Sequence, residues 1–342
     1  MFKSEGSSTE LEASLKSPIK LGLIGFGNIG RVHFEALTQF PQTNFKVAAV
    51  ADLQSSDNAR SLIGADTEFY ADYKQLLSKP EILAVSINTP PSTHYQLVMD
   101  ALNAGKHVLV EKPPALTVEE CQRMIDLANE KGKVLFMAFH ARYNPSVEAA
   151  KQELTGKNVT GVDVKYAEYA LNYHHPDGWI FNPEIAGGGV LIDSGINALS
   201  IITDVLPEVN LKPDNVHFKQ PENFNVETSA EVDLTFGENG KGHISMDWMH
   251  TGPEIREVTF TFDNGYKYTV DIVNNHLVKN GTPIFGEGDE KKEMVDLHSE
   301  YKRVYEDFTN HIVQGNSLTS VKELAFIIQA YKIGNQRGKV GI

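Results

Sequence analysis

The chain has 342 residues, 41% hydrophobic and 22% charged, with a formal net charge of −14. That balance belongs to a globular protein long enough for two domains with sizeable cores. So acidic a surface argues against nucleic acid and anionic membrane as partners, because both require basic footprints. The single cysteine, Cys121, rules out an internal disulfide and is expected to be a buried structural thiol.

In chain order, residues 1–18 are polar and lack an apolar core segment, so neither a signal peptide nor an anchor is expected there. They are expected to form a disordered extension, and no later run approaches the ~20 apolar residues of a bilayer span. Together these features point to a cytoplasmic protein. The run 19–25 is a short apolar strand ending in glycine, 28–38 a helix, and 45–50 a second strand. Strands are expected again at 83–87, 107–110 and 134–139. A helix over 92–104 is capped by Ser92 and stopped by Gly105, and a capping-box spacing at Thr117 and Glu120 opens another. Strand–helix alternation predicts an α/β domain with a doubly wound parallel sheet over 19–143.

The pattern then changes. Asn144-Pro145 opens a helix, and longer alternating runs follow at 160–169, 227–236, 242–248, 257–262 and 266–273. Asn239-Gly240, Asn264-Gly265 and Asn280-Gly281 are hairpin turns. One glycine-led helix, 189–205, interrupts these strands, and helices at 300–314 and 320–333 close the chain. Residues 144–342 are thus expected to form an α+β substrate domain with a large open, mostly antiparallel sheet, the last helix being a candidate to return to the first domain. A homodimer through that sheet would cover its free face.

The chemistry begins with Gly25-Phe26-Gly27-Asn28-Ile29-Gly30, a G-x-G-x-x-G between a strand and a helix. Gly25 permits the tight turn, Gly27 lets the backbone approach a pyrophosphate at the helix N-terminus, and Gly30 allows close helix–strand packing. Asp52, 22 residues after Gly30, ends the second strand. A carboxylate there accepts a ribose hydroxyl and repels a 2′-phosphate, which favours NAD over NADP. Leu53 follows it, and Arg60 is the nearest later cation.

Glu111-Lys112-Pro113 follows a strand directly, and Asn88-Thr89-Pro90-Pro91 precedes His94. With the glycine fingerprint, these residues resemble the glucose–fructose oxidoreductase and inositol dehydrogenase (Gfo/Idh/MocA) family from residue 19 onward. Residues 139–144, 187–201 and 246–253 narrow the resemblance to its bacterial D-galactose and L-arabinose 1-dehydrogenases. Many family members carry Asp-x-x-x-His on the corresponding helix, whereas this chain has Asp193 and Asn197. An i, i+4 pair lies on one helix face, and apolar neighbours on a packed helix turn such a polar stripe toward a cavity.

The resemblance implies oxidation of a pyranose aldose at C1 to the aldonolactone. Lys112, Asp193 and Asn197 would act at the C1 hydroxyl, the base being open between Lys112 and Asp193. The fingerprint residues, Asp52, Asn88, Thr89, Pro90, His94, Glu111, Lys112, His140 and Arg142 would contact the cofactor. Lys112, Glu168, His174, Asp193, Asn197, Trp248 and Thr251 would contact the sugar, and Trp179 is a candidate neighbour of the nicotinamide. No metal-ligand set stands out. Oxidation of a different polyol hydroxyl, as in inositol dehydrogenases, and a non-catalytic dinucleotide sensor are the alternatives.

Overall fold

The computed structural model describes residues 17–53, 57–286 and 297–337. The expected N-terminal extension, as far as residue 16, lies outside them. The chain divides into two compact units. The first runs to Pro114 and adds Glu119–Ala138 and Leu297–Thr319. The second comprises Ala115–Val118, Phe139–Asp296 and the chain from Ser320. The segment that returns to the first unit is therefore the penultimate helix, whereas the last helix stays with the second.

In the first unit, β1 (Ile19–Ile24), β2 (Phe45–Ala51), β3 (Glu68–Tyr70), β4 (Ala84–Ile87), β5 (His107–Glu111) and β6 (Leu135–Ala138) pair in the order β3-β2-β1-β4-β5-β6. Every pairing is parallel. All four residues of β4 and of β6 are buried, as expected where helices cover both faces of a sheet. Cys121 is buried in the Val118–Lys131 helix. β3 escapes sequence reading because it is three residues long, partly exposed and without an apolar run. The returning helix, Leu297–Gln314, buries Tyr301, Val304, Tyr305, Phe308 and Ile312, an i, i+3, i+4 stripe. Phe308 contacts Phe45 of β2 and Phe136 of β6, each at 5.4 Å between ring centroids.

In the second unit, eight strands form one sheet: β7 (Val159–Ala167), β8 (Lys212–Lys219), β9 (Ser229–Phe236), β10 (Gly240–Asp247), β11 (Ile255–Phe262), β12 (Lys267–Asp271), β13 (His276–Lys279) and β14 (Thr282–Phe285). Their order is β14-β13-β12-β11-β7-β10-β9-β8. Only the β7–β10 pairing is parallel. The edge strands β8 and β14 carry Pro213 and Pro283, which a central ladder would not accommodate. Those prolines, and the polar content of β8, hide both strands from a periodicity search. The β13–β14 turn has positive φ at both Asn280 and Gly281, the backbone that a primed two-residue turn demands. One sheet face is apolar, while the other carries Asp163, Lys165, Glu231, Asp233, His243 and Ser245.

The expected single helix over 189–205 is broken. Val190–Asp193 and Gly195–Val205 are separate helices with Ser194 between them. The axis turns by 50° between Pro183–Asp193 and Gly195–Val205. Asp193 therefore ends one helix and Asn197 lies in the first turn of the next, so the i, i+4 stacking argument for one continuous helix does not apply. Among the described residues, no single helix is long and apolar enough to cross a membrane.

Burial pulls the His107 pKa down from 6.5 to about 4, with nearby Lys133 adding to the effect. Its Nδ1 accepts the Val134 N–H at 3.1 Å, which needs the neutral ring. Between these two values the unfolded chain holds a proton that the folded chain does not, so stability falls as pH drops through this window. Below the folded value both states are protonated and the contribution is lost. Chemical denaturation of wild type and His107→Gln at about pH 7 and about pH 4.5 should show a smaller acid loss in the variant.

Candidate active site

The glycine loop leaves β1 with Gly25 at φ +91°, where a Cβ would meet the Asn88 carbonyl oxygen at 2.8 Å. A Cβ on Gly30 would meet the Gly25 carbonyl oxygen at 2.2 Å, so both glycines are required by packing. Gly27 differs: nothing lies within 4 Å of its would-be Cβ. It is also the N-cap of the Asn28–Gln39 helix, with no side chain capping that turn. An open backbone approach above uncapped helix amides fits a pyrophosphate. Asp52 Oδ2 accepts the Phe26 N–H at 2.7 Å, tying the loop to the end of β2. Leu53 is exposed, and the Arg60 guanidinium lies 4.9 Å from the Phe69 ring centroid.

At the end of β4, buried Asn88 takes a hydrogen bond from the Ser86 hydroxyl at 2.8 Å. His94 is fully buried, and its ring nitrogens face the carbonyls of Thr89 at 2.7 Å and Pro113 at 2.8 Å. Burial lowers its pKa, and the two carbonyls work against that shift. His94 thus joins the Asn88–Pro90 loop to the Glu111–Pro113 loop. Glu111 does not point its carboxylate outward. It is buried, accepts the Tyr301 hydroxyl at 2.5 Å, lies 3.0 Å from His33 Nε2, and takes the Lys112 N–H at 3.1 Å. Half-buried Lys112 follows it at the carboxyl end of a parallel strand, where doubly wound folds bind ligands.

In the second unit, Glu168 and Trp248 stand just past the ends of the parallel neighbours β7 and β10. Both oxygens of Glu168 are engaged: Ser194 Oγ donates to one at 2.9 Å and Arg256 Nη2 to the other at 2.6 Å. Burial opposes the Arg256 charge, but Glu168 and Glu254 more than offset this and hold its pKa above the usual range. Trp248 is 1% exposed and donates its indole N–H to Ser194 at 2.9 Å, so it presents no ring face to a sugar. Trp179, in contrast, is 43% exposed. Glu168 and Trp248 therefore converge on Ser194, the residue at the helix break between Asp193 and Asn197. His174 is half-buried and Thr251 exposed. Asn197 Oδ1 is buried and has no hydrogen-bond partner among the described residues.

The start of the Val190–Asp193 helix rests on a residue that sequence reading missed. Buried Glu227 accepts the Gly189 N–H at 3.0 Å, the Leu191 N–H at 3.2 Å and the Tyr331 hydroxyl at 2.7 Å. A Cβ on Gly189 would meet the Glu227 carbonyl oxygen at 2.0 Å, so only glycine fits this approach. Nothing in the local sequence distinguishes Glu227 from a solvated acid; its 38-residue separation from Gly189 closes only in three dimensions.

His140 and Arg142 sit in a short 3-10 helix, His140–Tyr143. The Arg142 guanidinium is spent within the second unit: it pairs with Glu323 at 2.6 Å and donates to the Ser200 carbonyl at 3.1 Å and Thr203 Oγ1 at 3.2 Å. This placement makes it a structural tie within the second unit. Among the described residues no cluster of three His, Cys, Asp or Glu side chains is arranged to hold a metal.

Breaking a buried pair leaves an uncompensated charge, at about 3–5 kcal/mol. Arg142→Met should therefore lower the melting temperature strongly, because Glu323 is left unpaired. NAD affinity measured by calorimetry on the folded fraction should stay within about two-fold.

Residues 19–139 match the model of an oxidoreductase family with an NAD-binding Rossmann fold (Gfo/Idh/MocA), and residues 156–271 match the Gfo/Idh/MocA C-terminal domain. Galactose 1-dehydrogenase of Pseudomonas fluorescens is 28% identical over 93% of this chain and 97% of its own length. The crystal structure of a D-galactose-1-dehydrogenase protein from Rhizobium etli superposes with a TM-score of 0.79 at 30% identity, covering 93% of this chain and 95% of that one. D-glucoside 3-dehydrogenase of Escherichia coli K12 is 34% identical, over 60% of this chain and 59% of its own. The fingerprint turn, the strand-end lysine and a second domain matched in its own right all agree: this chain belongs to the Gfo/Idh/MocA oxidoreductase family.

Proposed function

We propose that the protein is an NAD-dependent aldose 1-dehydrogenase that oxidises D-galactose- or L-arabinose-type pyranoses to their lactones. The observation that carries the substrate side is Asn197 Oδ1, a buried acceptor with no partner among the described residues. Such a group costs about 1–3 kcal/mol unless something donates to it, and a sugar hydroxyl is a suitable donor. Similarity along nearly the whole chain to a galactose 1-dehydrogenase supports the choice of C1.

NAD, when bound, supplies the hydride acceptor. The residues fitted to hold it are the open Gly27 turn, the uncapped amides of the Asn28–Gln39 helix and Asp52. Oxidation at C1 turns the C1–O1 bond into a carbonyl, so the hydroxyl proton has to pass to the protein. We assign that transfer to Lys112 and Asp193, and the orientation of the hydroxyl to Asn197. The network through Ser194 holds the chain between Asp193 and Asn197 in place, so Glu168 and Trp248 support the sugar site from behind. Exposed Trp179 replaces Trp248 as the indole available for stacking on a sugar face.

NAD reduction followed by absorbance should be fast with D-galactose and L-arabinose, which share configuration at C2, C3 and C4. D-glucose, inverted at C4, should lose about 1–3 kcal/mol in kcat/KM because a buried polar partner is left unpaired. Equal rates for glucose and galactose would remove the sugar assignment, and a better rate with inositols would replace it. Lys112→Met and Asp193→Asn should each lower kcat by roughly 100-fold or more. The same kinetics with NADP should be poorer, and Asp52→Ala should narrow the gap, since the repulsion of a 2′-phosphate is removed.

A further inference from the structure

Lys112 is held from both sides by buried groups that the chemistry above does not use. Before it stands Glu111, 4% exposed at the end of β5. Among the described residues its carboxylate meets Tyr301 at 2.5 Å, His33 at 3.0 Å and the Lys112 N–H at 3.1 Å. His33 Nδ1 is in turn 2.6 Å from the Tyr305 hydroxyl. One proton arrangement satisfies every member. His33 donates from Nε2 to Glu111, Tyr305 donates to Nδ1, and Tyr301 donates to Glu111. Burial, followed by the Glu111 charge, pushes the Tyr301 pKa well up, and burial does the same to Tyr305, so both hydroxyls remain donors. After Lys112, one ring nitrogen of fully buried His94 lies 2.8 Å from the Pro113 carbonyl and the other 2.7 Å from that of Thr89, the tautomer deciding which carbonyl takes the N–H of a neutral ring.

We propose that Glu111, His33 and Tyr301 on one side and His94 on the other are positioning residues that clamp the backbone on both sides of Lys112 for proton transfer. The inference rests on Lys112 being a proton-transfer group, as proposed above. Its physical basis is that the lysine sits where a strand gives way to a loop, and a reacting group displaced by about 1 Å can cost about 100-fold in rate. The clamp removes that freedom with side chains from three other elements. Tyr301 reaches Glu111 across 190 residues of sequence, so the returning helix fixes the lysine loop as well as covering the sheet.

Two readouts test the clamp. The first needs no sugar: the rate at which trace acetic anhydride labels Lys112 in cofactor-free protein, read by mass spectrometry against the other lysines. Tyr301→Phe and His94→Leu should each change the Lys112 rate by about three-fold or more, while His107→Gln, at the opposite end of the same strand, should leave it unchanged. The second is kinetic. Tyr301→Phe and His94→Leu should lower kcat about 10- to 100-fold with KM for NAD within about two-fold, and move the pH profile of kcat. His94→Gln, which keeps one donor, should recover part of the loss. Tyr301→Phe keeps the ring and is the variant that decides the matter if His94→Leu fails to fold. Wild-type labelling and wild-type kcat in Tyr301→Phe, with only a lower melting temperature, would overturn the proposal. Altered labelling in a protein whose Lys112→Met variant is fully active would overturn the role of Lys112 instead, and the two failures are distinct.

Discussion

A buried carboxylate at the end of β5 organises the first unit. Glu111 cannot be left without donors in a dry interior, where an unpaired charge costs several kcal/mol. The donors it finds come from the Asn28–Gln39 helix, from the returning helix and from the backbone of the next residue. Meeting that one requirement brings together the Asn28–Gln39 helix, the strand that precedes the lysine and a segment from near the end of the chain. The sheet order follows from ordinary parallel winding, and the Glu111 hydrogen bonds tie these three pieces to one another.

The second unit uses the same device. Glu227 is buried, burial raises its pKa, and it is held by two backbone amides at a helix start and by the Tyr331 hydroxyl. It fixes where the Val190–Asp193 helix begins, and Ser194, bonded to Glu168 and Trp248, fixes where that helix stops. Asp193 is therefore set by a buried acid at one end of its short helix and a polar network at the other. In both units a catalytic assignment falls on a residue adjacent to such an anchor, which is where a rigid framework is most useful to proton transfer.

Much of this was legible in the sequence. Alternation of short apolar runs with helical spacing identified the parallel sheet, because residues buried on both faces leave no polar break in a strand. The fingerprint identified the glycine turn between β1 and the Asn28–Gln39 helix, because only glycine satisfies the contacts at Gly25 and Gly30. The Asn-Gly pairs identified hairpins. Strands β3, β8, β13 and β14 were not legible, since β3, β13 and β14 are only three or four residues long and the edge strands β8 and β14 carry proline. The helix over 189–205 read as continuous because local propensity does not report a break caused by a distant carboxylate and indole.

The amino-acid sequence by itself determined the fold class, the cofactor turn and the strand-end lysine, because each is written in residues that lie close together in the chain. Tertiary structure alone decided which polar residues are spent on the framework. Arg142, Glu168, Trp248 and Glu111 read as ligand contacts in one dimension, yet in the folded chain their polar groups meet Glu323, Arg256, Ser194 and His33. The reason is physical: a hydrogen-bonding group is committed to whatever partner folding brings within about 3 Å, and for these residues that partner lies between 54 and 181 positions away in sequence.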